Sequence, residues 1–143
     1  MRGSSEDTAI RKRAAERALA LDPNSAEAWD ILGNIKWHAF DWAGAEQDFR
    51  RAVALNPTHA SYFCGLGALL AATGRLDEAL REGEISQGLD PNEDRVSPIL
   101  EMRGQLSRAI ELLQRVVQLH PDDAGSHYGL LRKLECTRKP SRN

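Results

Sequence analysis

Residues 24–57 read NSAEAWDILGNIKWHAFDWAGAEQDFRRAVALNP, and residues 58–91 read THASYFCGLGALLAATGRLDEALREGEISQGLDP. Aligned, the two stretches agree at fixed offsets. Trp29, Leu32 and Gly33 stand 6, 9 and 10 residues after Pro23, and Phe63, Leu66 and Gly67 stand equally far after Pro57. Twelve residues before the next proline comes Ala45, Ala79 or Ala109; eight before comes Phe49, Gly83 or Leu113; five before comes Ala52, Ser86 or Val116. Pro23, Pro57, Pro91 and Pro121 each follow an aliphatic and then a polar residue, at intervals of 34, 34 and 30. Such a period marks an array of small supersecondary units. Apolar residues at i and i+3 put one stripe on each segment, which is helical spacing. Proline cannot continue a helix and so divides the units, while the recurring alanine lets two helices approach closely.

Composition agrees. The chain has 143 residues, enough for one domain, with 41% hydrophobic and 28% charged residues, which implies a thin core. Nineteen Ala and 18 Leu stand against six Ile, four Val and four Thr, so a sheet-rich fold is disfavoured. A net charge of −2 offers no positive field for a nucleic-acid backbone. No apolar run approaches the length of a membrane span, and the polar stretch Met1–Lys12 lacks a signal-peptide core. Cys64 and Cys136 form neither a metal-type pair nor a disulfide framework, and a reduced, cytoplasmic chain without a bridge is expected.

The order W-x-x-L-G, then A-x-x-x-F, then Pro resembles the tetratricopeptide repeat (TPR), over residues 8–137. The resemblance implies an all-α superhelical solenoid of antiparallel helix hairpins. Helices are expected at 8–21, 26–39, 42–55, 60–73, 76–89, 98–103, 106–119 and 124–136, with repeats at 24–57 and 58–91 and a shortened one at 92–121. The first is a lone second helix, with Arg11 at the small-residue offset, as if an earlier repeat had been cut away. The last serves as a C-terminal cap. Residues 1–7 read as a disordered or tag-like N-terminus, and 138–143 as a disordered tail. Gly74 and Gly104 close first helices in the left-handed conformation; Phe40 occupies that offset in the first full repeat and departs from the pattern.

The short interval arises after Pro91, where the glycine follows by 13 residues instead of 17. About one helical turn is missing, so the facing stripe survives. Asn92–Val96 becomes a loop, and Ser97-Pro98 reads as an N-cap followed by proline at the first helical position. Two readings stand: a wider or interrupted groove, or ordinary decay of a terminal repeat, the readier of the two.

In TPR arrays the first helix of each hairpin lines a concave face where partners lie. Carried over by offset, that face holds Glu27, Asp30, Asn34, Trp37 and His38; then Ser61, Cys64, Ala68, Ala71 and Ala72; then Gly125, Tyr128, Arg132 and Glu135. The middle is small and apolar, with an aromatic at either end. Trp37 and Tyr128 read as binding anchors, although an aromatic at helical spacing also reads as core for Trp37. A carboxylate clamp for acidic C-termini is not expected. Asn34 is kept, but Asp30 and Gly65 stand where the clamp has Lys and Asn, and Arg95 and Ile99 fall beside the shortening. The stretch His38–Glu46 is also similar to TPR segments of large bacterial signalling and regulatory proteins; read structurally, Asp41 can cap the second helix of this chain.

The chain carries no GxxxxGK[ST], GxSxG or HExxH motif. His120, Asp122, Asp123 and His127 gather around one turn without the spacing of a strong metal site, and the two aspartates read better as a helix start. The expectation is therefore a non-catalytic interaction module. It binds a peptide or partner protein in its concave groove, with no cofactor, metal, nucleic acid or membrane. The alternative is a homo-oligomer formed through its end faces.

Overall fold

The structure, a computed structural model, describes residues 3–91 and 94–138. Among these are eight helices and no strand: α1 (Gly3–Leu21), α2 (Ala26–His38), α3 (Trp42–Leu55), α4 (Ala60–Ala72), α5 (Leu76–Leu89), α6 (Ser97–Met102), α7 (Leu106–Leu119) and α8 (Ala124–Arg138). Contacts run between sequence neighbours: α2 with α3, α4 with α5 and α6 with α7 as hairpins, flanked by α1 on α2 and α8 on α7. The first helices of neighbouring hairpins, α2 and α4, also touch.

Helix α1 corrects one expectation. Residues 3–7 form its beginning, where disorder was expected. The described side chains of residues 5–8 are exposed, so no apolar stripe announced the helix, while Glu6 favours a helix N-terminus electrostatically. Helix α8 runs to Arg138, where the helix was expected to end at 136 and a disordered tail to begin at 138. Residues 1–2 and 139–143 of the two expected terminal segments, and 92–93 of the expected loop, lie outside the described residues, as does the side chain of Cys136.

The ends of the hairpins' first helices share one device. Phe40, Gly74 and Gly104 have φ of 63°, 83° and 75°. Each donates its N–H three residues back, to Trp37, Ala71 and Glu101, and the following residue reaches five back, to Lys36, Leu70 and Leu100. This pair of bonds satisfies the last carbonyls of the helix. Because Ala39, Thr73 and Arg103 already leave helical geometry as C-caps, α2, α4 and α6 stop one residue before the expected ends. Phe40 thus does the work of a glycine, at a conformational cost, and its side chain is 80% exposed. Asp41 caps α3 by accepting from the Gly44 N–H at 3.0 Å.

The entry to α6 differs from the expected N-cap. Ser97 is the first helical residue and Val96 the cap; the Asp94 carboxylate takes the capping role by accepting from the Ser97 N–H at 2.9 Å. The Ser97 hydroxyl turns inward instead and donates to the Ala109 carbonyl at 3.3 Å.

Close packing within hairpins rests on small residues. Ala45, Ala79 and Ala109 have no exposed surface. The buried Phe49 ring lies directly on Gly33, where a Cβ would come within 2.8 Å of Cδ1 and Cε1. Lys36 Nζ meets the buried Asp48 carboxylate at 2.8 Å, tying α2 to α3. In the next hairpin Gly83 replaces the phenylalanine. Ile99 Cδ1 and the Arg95 carbonyl fill the place of the ring, 3.1 and 3.3 Å from the position of a Gly83 Cβ.

This contrast predicts opposite effects of one substitution at equivalent positions. Gly33→Ala drives a methyl into an immobile ring and should destabilise by roughly 1–3 kcal/mol. At Gly67 the nearest atom, the Ala79 carbonyl oxygen, is 3.4 Å away. There Gly67→Ala should be neutral or stabilising by up to about 1 kcal/mol through helix propensity. Urea midpoints of the two variants check both.

Candidate functional site

Four first helices stand in succession. Helix α2 touches α4; α4 and α6 enclose a cleft; Lys133 Nζ of α8 reaches Glu101 of α6 at 3.2 Å. The expected groove residues divide among three places along this face.

The central place is the cleft, about 440 Å³. One wall is α4, with Cys64, Gly67, Ala68, Ala71 and Ala72; the other is Pro98, Ile99 and Met102 of α6, with Asp94 and Arg95 before it. The small side chains of α4 leave the space open, and the six-residue α6 is too short to fill it. Met102 is 57% exposed at the rim and offers an adaptable apolar wall. The Arg95 guanidinium meets the Cys64 sulfur across the cleft, and Cys64 is a free thiol. Cys64 and Ala68 are therefore brought together as expected groove residues. The opposite wall was missed, because the shortened interval left no offset by which to place 94–102. The one signal was that Arg95 and Ile99 fell beside the shortening.

The second place adjoins the first. Asp30 of α2 is half-buried, and its Oδ1 lies 3.7 Å from where a Cβ of Gly65 would stand. Asn34 donates its side-chain amide to the Asp30 carbonyl at 2.9 Å and to its carboxylate at 3.4 Å. Burial raises the Asp30 pKa above the usual carboxylate value; His59 pulls it down and Glu27 adds to the rise. Burial also raises the Tyr62 pKa, with Asp30 and Glu27 adding to it. The Tyr62 ring stacks on His59 with centroids 4.1 Å apart. Neither Tyr62 nor His59 was expected here. Glu27 is exposed and also lines a small hollow between α1 and α2.

The remaining residues lie apart. Trp37 is half-buried, packs edge-on against Phe49 with centroids 6.3 Å apart and joins the main core. It serves the hairpin as core, the second of its two readings. His38 is exposed at the end of α2. Tyr128, 64% exposed, and Arg132 belong to α8, and α6 stands between them and the cleft. Asp123 accepts from the Ser126 N–H and hydroxyl, the helix-start role, and His127 Nε2 lies 2.8 Å from the Pro121 carbonyl. Among the described residues no group of three His, Cys, Asp or Glu side chains is placed to hold a metal ion, and no helix is long and apolar enough to cross a membrane.

A raised folded-state pKa means that the contribution of Asp30 to stability is full below the unfolded value of about 3.9 and is lost as pH rises through the folded value. Ionised Asp30 therefore costs stability at neutral pH. Asp30→Asn should raise the thermal midpoint at pH 7 and leave it unchanged near pH 3; equal shifts at both values would contradict the assignment.

The sequence pattern of the tetratricopeptide repeat matches residues 26–59. Small glutamine-rich tetratricopeptide repeat-containing protein 2 of Mycosarcoma maydis is 28% identical over 118 residues, 80% of this chain. The chain spans 34% of that relative's length. The crystal structure of MamA superposes with a TM-score of 0.74 at 19% identity, over 94% of this chain and 81% of MamA. That of YrrB, described as a TPR protein with an unusual peptide-binding site, has a TM-score of 0.70 at 20% identity, over 96% of this chain and 73% of YrrB. At these identities the two structures speak for the fold. Matched by pattern, by relative and by fold, the chain is a tetratricopeptide-repeat protein, an all-helical solenoid of antiparallel hairpins.

Proposed function

We propose that the chain is a non-catalytic interaction module that binds a peptide or partner-protein segment along its first-helix face, centred on the α4–α6 cleft. The observation that carries this reading is the cleft itself, an apolar recess of about 440 Å³ in which the Arg95 guanidinium meets the Cys64 sulfur. Apolar space with a few placed polar groups suits side-chain recognition. TPR scaffolds typically serve protein–protein interaction, and the peptide-binding site ascribed to YrrB lies on a similar fold. The reading carries with it a reduced, cytoplasmic setting in which Cys64 stays a thiol.

Random heptapeptides displayed on phage and selected on the wild-type chain test it. Ala68 is exposed within the cleft, so Ala68→Trp fills the recess without disturbing the core. The selected peptides should lose about thirtyfold in affinity for this variant, roughly 2 kcal/mol. Arg51→Ala, at an exposed position on α3, should bind as the wild type does. Circular dichroism checks that both remain folded.

A second reading, self-association through an end face, is favoured by one observation. Helix α8 exposes Tyr128, Leu131 and Leu134 at three-residue spacing, with Leu131 53% exposed. An apolar stripe of this kind is what a helix presents to a partner. Under this reading the sedimentation coefficient rises with concentration and Leu131→Glu abolishes the rise; a single monomeric species throughout would exclude it.

A further inference from the structure

The chemistry of the groove narrows its occupant. The α4–α6 cleft is walled by Gly67, Ala68, Ala71, Ala72, Ile99 and Met102, so the part of a ligand seated there is apolar. Its two charged residues offset one another in sign and are engaged within the chain: Asp94 caps α6 through the Ser97 N–H, and Arg95 meets the Cys64 sulfur. The sign of the field beside the cleft is then decided by Glu27 and Asp30. They act on each other and on Tyr62, and the cationic influence on Asp30 is a histidine, His59. Asp30 abuts α4 at Gly65, next to Cys64 of the cleft. Ala68 and Ala72 lie one to two turns further along α4. The acidic pair and the apolar recess are thus about 5–10 Å apart, the span of two or three extended residues.

We infer that the segment bound in this groove carries an aliphatic side chain that enters the α4–α6 cleft and, two or three residues away, a Lys or Arg that pairs with Asp30 and Glu27. The inference rests on the groove being the binding face and adds the chemistry of the partner. Asp30 is half-buried between α2 and α4, where a cation brought by a ligand is screened less than at an open surface. A ligand ammonium or guanidinium also supplies Asp30 with a positive partner in addition to His59. Complementary charge of this kind fixes the direction of a bound segment as well as its affinity.

The same heptapeptide selection, read by sequencing, tests the inference. Selected peptides should be enriched in Lys or Arg spaced two or three residues from Leu, Ile, Val or Met. For such a peptide, the double variant Glu27→Gln, Asp30→Asn should weaken binding about fivefold and flatten its salt dependence, while a Lys→Gln peptide should bind both proteins alike. Selected peptides that are neutral or acidic, yet are excluded by Ala68→Trp, would overturn this inference and leave the groove reading intact. Peptides that bind Ala68→Trp as tightly as wild type, or no enrichment at all, would overturn both.

Discussion

The contact on which the rest depends is that of the Phe49 ring with the bare backbone of Gly33. The aromatic ring is laid on a glycine between α2 and α3, in the same interface where Ala45 has no exposed surface. At protein packing density such a contact has little room to relax, so ring and glycine constrain one another. The buried ring then holds Trp37 edge-on and stands beneath Gly65 of the next hairpin, 3.4 Å from the position of a Cβ. One side chain thereby sets the spacing inside its own hairpin and the stacking of the hairpin that follows.

Where that ring is missing, the fold finds another filling, and the candidate site arises from it. Gly83 takes the offset of Phe49, and the backbone of Arg95 and the side chain of Ile99 move over it. Those residues belong to the segment shortened by about a turn. The shortening and the loss of the aromatic therefore form one packing solution: a short α6 held against α5, with Met102 left at the rim of an open cleft. The small residues of α4 keep the other side of that cleft empty. Burial opposes the charge of Asp30 beside it and raises its pKa, so its ionised form costs stability. Residues kept at such a cost are more readily understood through what they contact than through what they support.

The helical order was legible in the sequence, since proline spacing, apolar stripes and recurring alanines are local patterns with local causes. Helix ends were legible to within a residue at α2, α4 and α6, because the left-handed position is marked by glycine at two of the three sites. At the third, Phe40 adopts the conformation against its steric preference, and only its offset pointed to that. The start of α1 was not legible, because exposed residues leave no periodic signal. Nor was the cap of α6, where Ser97 is drawn inward to the Ala109 carbonyl and Asp94 replaces it.

The sequence alone determined the unit and its repetition, the polarity of each helix face, and the small, apolar character of the α4 stretch that includes Cys64 and Ala68. Tertiary structure decided what those faces enclose. It packed Trp37 edge-on against Phe49, set Tyr128 and Arg132 on α8 apart from the residues lining the cleft, and brought Arg95, Ile99 and Met102 opposite α4. The reason is physical. Periodicity reports which side of a helix is apolar, whereas a cavity depends on the distance between two helices. That distance follows from the volumes packed between them, here a ring in one hairpin and a glycine in the next.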